Sequence, residues 1–221
     1  MNDNTPTPTQ AASVVVVNAD ALVRITRQAL VGTTNDKTLL ARLGIRYRVV
    51  GDTLIAEATD RFVAVKSWTE TSTASPDFRI ALERQEVDQL LAIVTAADKL
   101  ANITLTVEGG NLTVESANGT TATLREGSYQ FPKMENIWKA DEQARQITRP
   151  EGVTVNPRYL GHIERLDKLN PRDDRFTTAV YDHQERANAG LVFRVGPKCA
   201  MLLMVKRPVA DDPINTTPIP N

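Results

Sequence analysis

The stretch ATDRFVAV, residues 58–65, ends the first of three similar units in this chain, and LREGSYQFPK, residues 124–133, ends the second. Each unit is about sixty residues long and shows the pattern of a strand, a helix and three more strands. A supersecondary unit that recurs at a fixed period determines the architecture more firmly than a single motif does. The sequence therefore predicts an α+β protein built from three βαβββ units.

Unit one is predicted over residues 13–70 and begins with the apolar run Val14 to Val17. Asn18 is a suitable helix N-cap, and apolar residues recur after it at helical spacing, which predicts a helix over residues 19–31. Gly51-Asp52 is a hairpin signal. The strands predicted around it cover residues 44–50, 53–58 and 62–68.

Units two and three, predicted over residues 77–138 and 152–209, repeat this order. In unit two, Gly109-Gly110 and Asn118-Gly119 are hairpin signals. Its predicted helix covers residues 84–99, and its strands cover 78–82, 103–108, 111–116 and 120–125. In unit three, Asn156-Pro157 is a cap followed by a proline at the first helical position. The elements predicted there are a helix at 158–169 and strands at 153–155, 176–182, 190–195 and 201–206.

A single unit of this kind exposes sheet edges, so units one and two are predicted to close one domain with two helices and two sheets. Unit three then has no partner unit within the chain. Either it meets its copy in another chain across a two-fold interface, or it packs on the first domain without closing anything. Residues 139–151 are expected to form a connector, and the polar stretches 1–12 and 210–221 to be disordered tails.

Composition leaves several classes of function open. The 221 residues are 41% apolar and carry 26 Lys and Arg against 27 Asp and Glu, a balance that does not suggest tight, unspecific binding of nucleic acid over the whole surface. A mildly basic lining inside a ring would still accept DNA. The chain has no run of 18 apolar residues and no apolar leader, so a soluble, cytoplasmic protein is expected. Cys199 alone cannot form a disulfide within the chain.

Three stretches of the chain resemble bacterial sliding clamps, the β subunits of replicative polymerases. ATDRFVAV is similar to the ATDRFRLAV-type stretch of that family, and residues 124–133 are similar to its LxxGxFPxY stretch. Residues 201–208, MLLMVKRP, are similar to the YLLMPVRLP ending of those clamps. The resemblance covers residues 13–208 and implies the second domain of the family followed by the latter half of the third, a shortened arrangement expected of a phage-encoded clamp in the host cytoplasm.

The resemblance also implies an assembly. Clamps of this family are rings of six two-unit domains, with helices lining the hole and antiparallel sheets outside. Twelve units at three per chain predict a tetramer around sequence-independent duplex DNA, opened by a clamp loader and bound to a polymerase. No chemistry of its own and no cofactor are expected of such a processivity factor.

The family captures short apolar peptides in a groove between its second and third domains. Three segments of this chain match that groove, although ordinary strand packing also explains their apolar side chains. Ala64 stands where the family has a larger residue, and Val205 replaces a proline, so peptide preference is expected to differ. The matching residues are Thr59, Arg61, Phe62, Val63, Ala64, Pro132, Asn136, Ile137, Leu202, Met204, Val205, Lys206 and Arg207.

Contacts to DNA phosphates are expected from cations aligned on helix faces. Residues three, four or seven apart on a helix lie on one side of it, and basic residues recur at these spacings in the first and third predicted helices. A solvated surface with interleaved acidic residues is the alternative. The candidates are Arg24, Arg27, Arg158, His162, Arg165 and Lys168.

Two further hypotheses are compatible with the sequence. The first is an adaptor or inhibitor with the clamp fold but no ring, which engages replication or transcription proteins. The second is an enzyme with a metal site around His183, but neighbouring side chains on a strand point to opposite faces, which disfavours a cluster at Asp182–Glu185. The chain contains neither a phosphate-binding loop of the GxxxxGK[ST] type nor a GxSxG motif.

Overall fold

The computed structural model describes residues 12–34, 44–73, 76–135, 138, 157–175, 177–182 and 190–204. Within them the elements follow the predicted order. The first two units contain β1 (Ser13–Asn18), α1 (Ala19–Leu30), β2 (Ile45–Val50), β3 (Thr53–Thr59), β4 (Val63–Glu70), β5 (Arg79–Leu82), α2 (Arg84–Ala96), β6 (Asn102–Glu108), β7 (Asn111–Ser116) and β8 (Thr121–Arg125). The third contains α3 (Pro157–Lys168), a 3₁₀ turn (Arg172–Asp174), β9 (Thr177–Asp182), β10 (Gly190–Val195) and β11 (Cys199–Met204).

Several predicted segments lie outside the described residues. They are the connector 139–151, the strand at 153–155, the C-terminal tail 210–221 and all but the last residue of the N-terminal tail 1–12. The predicted domain boundaries likewise stay a prediction. No helix of the described part is long and apolar enough to span a membrane.

Local chemistry sets the helix ends. The Asn18 side chain accepts a hydrogen bond from the Ala21 amide at 3.1 Å, which confirms the predicted N-cap of α1. Helix α2 stops at Ala96, three residues before the predicted end. The reason is that Asp98 turns the chain by accepting from the Leu100 amide, so that the Lys99 carbonyl can accept from the Asn18 side chain at 3.1 Å.

The first strands of units one and two are exchanged between two antiparallel sheets. Strand β1 pairs with β6, which gives a four-stranded sheet in the order β1-β6-β7-β8, while β5 pairs with β2. The second sheet has seven strands, in the order β5-β2-β3-β4-β11-β10-β9. Units one and two therefore share one core, in which α1 and α2 pack together against strands of both sheets.

Unit three continues the sheet of unit one. Strands β4 and β11 pair in antiparallel fashion from Val63 opposite Leu203 to Ser67 opposite Cys199. Unit three thus does have a neighbour within the chain, at its last strand, although among the described residues no second unit packs on it to complete a two-unit domain.

The seven-stranded sheet has two distinct faces, because side chains alternate along each strand. On the helix face, α1 lies against β3 and β4, and α3 lies against β10 and β11. Val63 and Val65 of β4 pack there with Leu166 of α3 in a second apolar core. The opposite, outer face carries Ala64 of β4. It is crossed by the residues that follow β8, of which 126–135 and Trp138 are described, and we call them the crossing segment.

Candidate functional site

An apolar cluster covers the joint between β4 and β11 on the outer face. We call it the outer apolar cluster. Its floor is formed by side chains of β4, β10 and β11, with Ala64 directly opposite Leu202, and Met134 and Trp138 cover that floor. Ala64 is therefore only 2% exposed and Leu202 5%. The members are Ala64, Met134, Trp138, Val192, Ala200 and Leu202, flanked by the half-buried Trp68 and Phe131.

Cations lie over the aromatic rings of this cluster. The Lys66 ammonium is 4.7 Å from the centre of the Trp138 ring and 5.9 Å from that of Trp68. The Arg194 guanidinium lies 5.8 Å from the Trp68 ring centre. The indole N–H of Trp138 is buried and has no hydrogen-bond partner among the described residues. The surface therefore combines apolar contact area with positive charge, a pairing suited to an apolar peptide that also carries an acidic group.

A buried ion cluster anchors the crossing segment beside the outer apolar cluster. Glu57 is completely buried on the outer face and accepts from the Arg46 guanidinium at 2.7 Å and from that of Arg48 at 3.3 Å. Arg46 also reaches Glu135 at 3.0 Å and lies 5.4 Å from the ring centre of Phe131. One guanidinium thus ties the segment to the sheet.

The turn between β3 and β4, residues 59–63, is tight and is held by its own side chains. Thr59 is buried, and its hydroxyl donates to the Val63 carbonyl at 2.8 Å. Asp60 accepts from the amides of Phe62 and Val63 at 2.9 and 2.7 Å. Arg61, between them, has φ of +88°, in the left-handed region that favours glycine. The loop conformation is therefore fixed by local hydrogen bonds.

The structure divides the residues predicted to line the groove. Ala64 and Leu202 lie together on the outer face, and Pro132 lies on the segment that crosses it. Thr59 and Val63 serve the turn and the helix-face core instead, because the strand alternates. Arg61 and Phe62 are exposed at the loop tip, and the Phe62 ring, 53% exposed, stacks on Tyr159 with 5.9 Å between centres. Asn136, Ile137, Val205, Lys206, Arg207 and the side chain of Met204 lie outside the described residues.

Sequence reasoning missed most of the outer apolar cluster. Trp68, Phe131 and Trp138 come together only through the crossing segment and the joint between β4 and β11. For Trp68 and Trp138 the aromatic type was the only local signal, and it is equally typical of a buried core; Phe131 lies within the stretch 124–133 that resembles the family.

Cations of α1 and α3 share the helix face. Arg24 and Arg27 border a depression of about 330 Å³ that is closed on its other side by the residues that follow α3, Leu169 to Pro171. Arg158, Arg165 and Lys168 are exposed on α3. Lys168 is held by Glu164, 2.6 Å away, so part of this charge is neutralised. Arg175, which sequence reasoning missed, donates to the carbonyls of Lys168 and Asn170 at the end of α3.

His162 is placed differently from the surface cation that its spacing predicts. Its Nδ1 lies 2.9 Å from the Val31 carbonyl, just after α1, and the ring packs beside Tyr159. Burial lowers the pKa of His162 and outweighs the hydrogen bond to Val31, which raises it. Arg158 and Arg165 lower this pKa further, and Asp60 opposes them. The neutral ring, with Nδ1–H donating, is thus a contact between α1 and α3.

This placement predicts a pH-dependent contribution to stability. Because the pKa of His162 is lower in the folded chain than in the unfolded chain, the unfolded state binds more protons as the pH falls below about 6.5. The contribution of the neutral ring is complete above that pH and is lost on acidification. In His162→Asn, whose amide can still donate to Val31, the decrease in unfolding free energy between pH 7 and 5.5 should be smaller than in wild type. Parallel pH profiles in urea denaturation would contradict this assignment.

Groups suited to catalysis are not clustered in the described part of the chain. No three His, Cys, Asp or Glu side chains there are close enough to hold a metal ion. The candidate segment Asp182–Glu185 lies outside it, except for the backbone of Asp182. Cys199 is buried, and burial raises the pKa of its thiol to about 12, which makes it unreactive.

Units with exchanged first strands, a sheet continued from unit one into unit three, and α1 and α3 on the same face of that sheet are features of the DNA sliding-clamp fold. The α+β fold predicted from the sequence is therefore confirmed. Among solved structures, the chain is similar to the DNA polymerase III beta subunit of Thermotoga maritima, with a TM-score of 0.69 and 11% identity over 94% of this chain and 69% of that one.

Two other bacterial clamps are similar to the chain to a comparable degree. The beta subunit of Pseudomonas aeruginosa matches with a TM-score of 0.65 and 13% identity, over 94% of this chain and 68% of that one. The pol III beta of Caulobacter crescentus matches with a TM-score of 0.66 and 14% identity, over 94% and 69%. No protein-family model matches the sequence. At such low identity the likeness shows the fold.

Proposed function

We propose that this protein is a sliding clamp, a processivity factor that encircles duplex DNA as a homo-oligomeric ring and tethers a polymerase. The observation that carries the proposal is the continuous seven-stranded sheet, in which β4 of unit one pairs with β11 of unit three. Helices α1 and α3 lie on one face of that sheet, with Arg24 half-buried and Arg27 and Arg165 exposed. Such cations contact phosphates without reading sequence, which suits a ring that must slide.

The outer apolar cluster is the proposed peptide site. A ring leaves its outer face accessible while DNA occupies the hole, and Trp68 and Phe131 are half-exposed beside the buried floor. Aromatic anchors with nearby cations are typical of strong binding positions. A polymerase held there stays at high effective concentration near the template, so the clamp needs no chemistry. A loader that opens the ring is part of the proposal.

Twelve units at three per chain give a tetramer of about 97 kDa, four times the chain mass of 24.3 kDa. In it, unit three of one chain meets unit three of another. Absolute molar mass from light scattering tests this number.

Threading on DNA with blockable ends tests the ring itself without a loader. Linear duplex carrying biotin at both ends is mixed with the protein either before or after streptavidin caps the ends, and is then washed at high salt, which screens phosphate contacts. We expect retention only when protein is added before the caps. Retention that is independent of the order of addition, or absent in both, would contradict a ring and favour the adaptor.

A further inference from the structure

We propose that Asn118 is a site of covalent self-modification: its side chain deamidates through attack by the Gly119 backbone nitrogen, at a rate that the turn between β7 and β8 controls. The chain contains no other asparagine that is followed directly by glycine. Glycine has no side chain to hinder the approach of its own backbone nitrogen to the preceding residue. The modification depends neither on the ring nor on the peptide site.

The reaction balances with water as the only other reactant. The Gly119 amide gives its proton to a base in solution, and the nitrogen attacks Cγ of Asn118. A bond forms between these two atoms, the bond from Cγ to Nδ2 breaks, and ammonia leaves after taking up the proton. Water then opens the five-membered succinimide at one of its two carbonyl carbons. One opening gives an aspartate, and the other gives an isoaspartate, in which the backbone runs through the former side chain.

The turn holds the attacking nitrogen. Residues 117–119 form a three-residue hairpin loop, closed by the Ser116 amide, which donates to the Thr120 carbonyl at 2.9 Å. Gly119 has φ of +83°, the left-handed conformation that the last residue of such a loop requires. Its amide donates to the Ser116 carbonyl at 2.9 Å. This hydrogen bond must break before the nitrogen can lose its proton and attack.

The side chain that is attacked is held as well. Asn118 Oδ1 accepts from the Thr120 amide at 3.0 Å and from the Ser116 hydroxyl. Any rotation of the Asn118 side chain breaks these bonds. Ser116 is only 3% exposed, whereas Asn118 and Gly119 are exposed to solvent. Base and water can therefore reach the site, and the hydrogen bonds of the turn restrain it.

Opening of the turn consequently limits the rate. A local opening frees the Gly119 amide and the Asn118 side chain together, for a small fraction of the time. The rate in the folded protein is then the rate in an open chain multiplied by the fraction of molecules in which the turn is open. Deamidation of Asn118 thus records how often the hairpin of β7 and β8 opens.

The product affects the four-stranded sheet. Loop length determines the register of a hairpin, and an isoaspartate adds one carbon atom to the backbone of this loop. Leu112 of β7 and Leu124 of β8 are paired, and both are buried in the core that units one and two share. Loss of the turn should therefore loosen the packing of β8 on that core.

Peptide mapping by mass spectrometry tests the site in the full-length chain. Protein kept at mildly alkaline pH should accumulate aspartate and isoaspartate at position 118, and isoaspartyl methyltransferase should label the second product. The reaction in the folded chain should be roughly tenfold or more slower than in urea above the unfolding midpoint. Asn111, at the other end of β7 and followed by Leu112, is the internal control and should stay unmodified.

Ser116→Ala separates control by the turn from the chemistry. This change removes the hydroxyl that holds Asn118 but keeps the carbonyl that holds Gly119. The rate in the folded chain should rise roughly fivefold, which corresponds to one side-chain hydrogen bond, and the rate in urea should not change. The ratio of the two wild-type rates should also match the hydrogen-exchange protection of the Gly119 amide, because both reactions need the same N–H to be freed.

An unmodified Asn118 after incubation in urea would overturn the site itself. Equal rates in folded and unfolded protein, or an unchanged folded-state rate in Ser116→Ala, would overturn control by the turn. Modification of Asn111 as fast as that of Asn118 would show that the glycine neighbour does not determine reactivity, and the assignment to Gly119 would fail.

Discussion

Replacing Glu57 with leucine should lower the free energy of unfolding by about 3–5 kcal/mol, because the change leaves Arg46 buried without its carboxylate. Arg46 is 6% exposed, and its other carboxylate partner, Glu135, is half-exposed and lies on the crossing segment. Glu57→Gln should cost less, since its amide oxygen still accepts a hydrogen bond. Glu57→Leu is expected to lower the urea concentration at the midpoint of unfolding by about 2 M.

The matched control is an exposed ion pair. Asp88 lies 3.0 Å from Arg84 on the surface of α2, and Asp88→Asn should change stability by no more than about 0.5 kcal/mol. The double variant Arg46→Met/Glu57→Leu should recover most of the loss, since it removes the buried charge pair and leaves only Arg48, whose side chain is partly exposed. Equal losses of unfolding free energy in Glu57→Leu and Asp88→Asn would show that the buried ion cluster around Glu57 stabilises the fold no more than an exposed ion pair does.

The same variants probe the proposed peptide site. Arg46 ties Glu135 and Phe131 to the outer face, and Met134 and Trp138 of the same segment cover Ala64 and Leu202. Weakening the anchor should therefore loosen the cover of the outer apolar cluster before it disturbs the four-stranded sheet.

Local features of the fold were accessible from the sequence. The cap at Asn18 and the glycine turns at Gly51 and Gly119 each depend on a few neighbouring residues, and the structure agrees with them. The repeat also led to three units in the correct order.

Nonlocal features were not accessible. Nothing in the alternation of β1 or β5 indicates that each strand joins the other unit's sheet, because both arrangements bury the same face. The pairing of β4 with β11 is similarly unmarked, although it brings Ala64 opposite Leu202 on the outer face. The predicted site includes residues of both faces because it was taken from matched stretches of sequence, in which neighbouring residues such as Val63 and Ala64 alternate between faces.

His162 shows the same limit at a single side chain. Its spacing from Arg158 and Arg165 is correct for a shared helix surface. What decides its position is the Val31 carbonyl, which is 131 residues away in sequence.

Asn170→Leu should lower the free energy of unfolding by about 3 kcal/mol and loosen unit three, because Asn170 completes a buried polar network at its joint with unit one. Its side chain accepts from Gln28 of α1 at 2.8 Å and donates to the Val195 carbonyl of β10 at 3.1 Å. Ser67 of β4 donates in turn to Gln28. All three side chains are at most 7% exposed, so each broken bond leaves a buried group unsatisfied.

Gly196 shows how tightly the residues around Asn170 are packed where unit three meets unit one. A Cβ there would lie 2.7 Å from the Asn170 amide nitrogen, and φ at this position is +70°, so glycine is required on both grounds. Hydrogen exchange should separate a local from a global effect of Asn170→Leu: protection should fall in α3 and in β10 and β11, but not in the four-stranded sheet. A uniform loss of protection would contradict a network that acts at the joint.

A double-mutant cycle decides whether the network or packing alone holds the joint. Gln28→Leu/Asn170→Leu removes the amides from both sides and should be more stable than the sum of the single losses predicts, because fewer orphaned groups remain. Gln89→Leu, at an exposed position of α2, is the control and should have little effect. If the single losses are simply additive, the amides do not interact energetically. If they are coupled, the bonds among Ser67, Gln28 and Asn170 fix α3 against α1. These bonds then also set the distance from the cations of α1, Arg24 and Arg27, to the cations of α3.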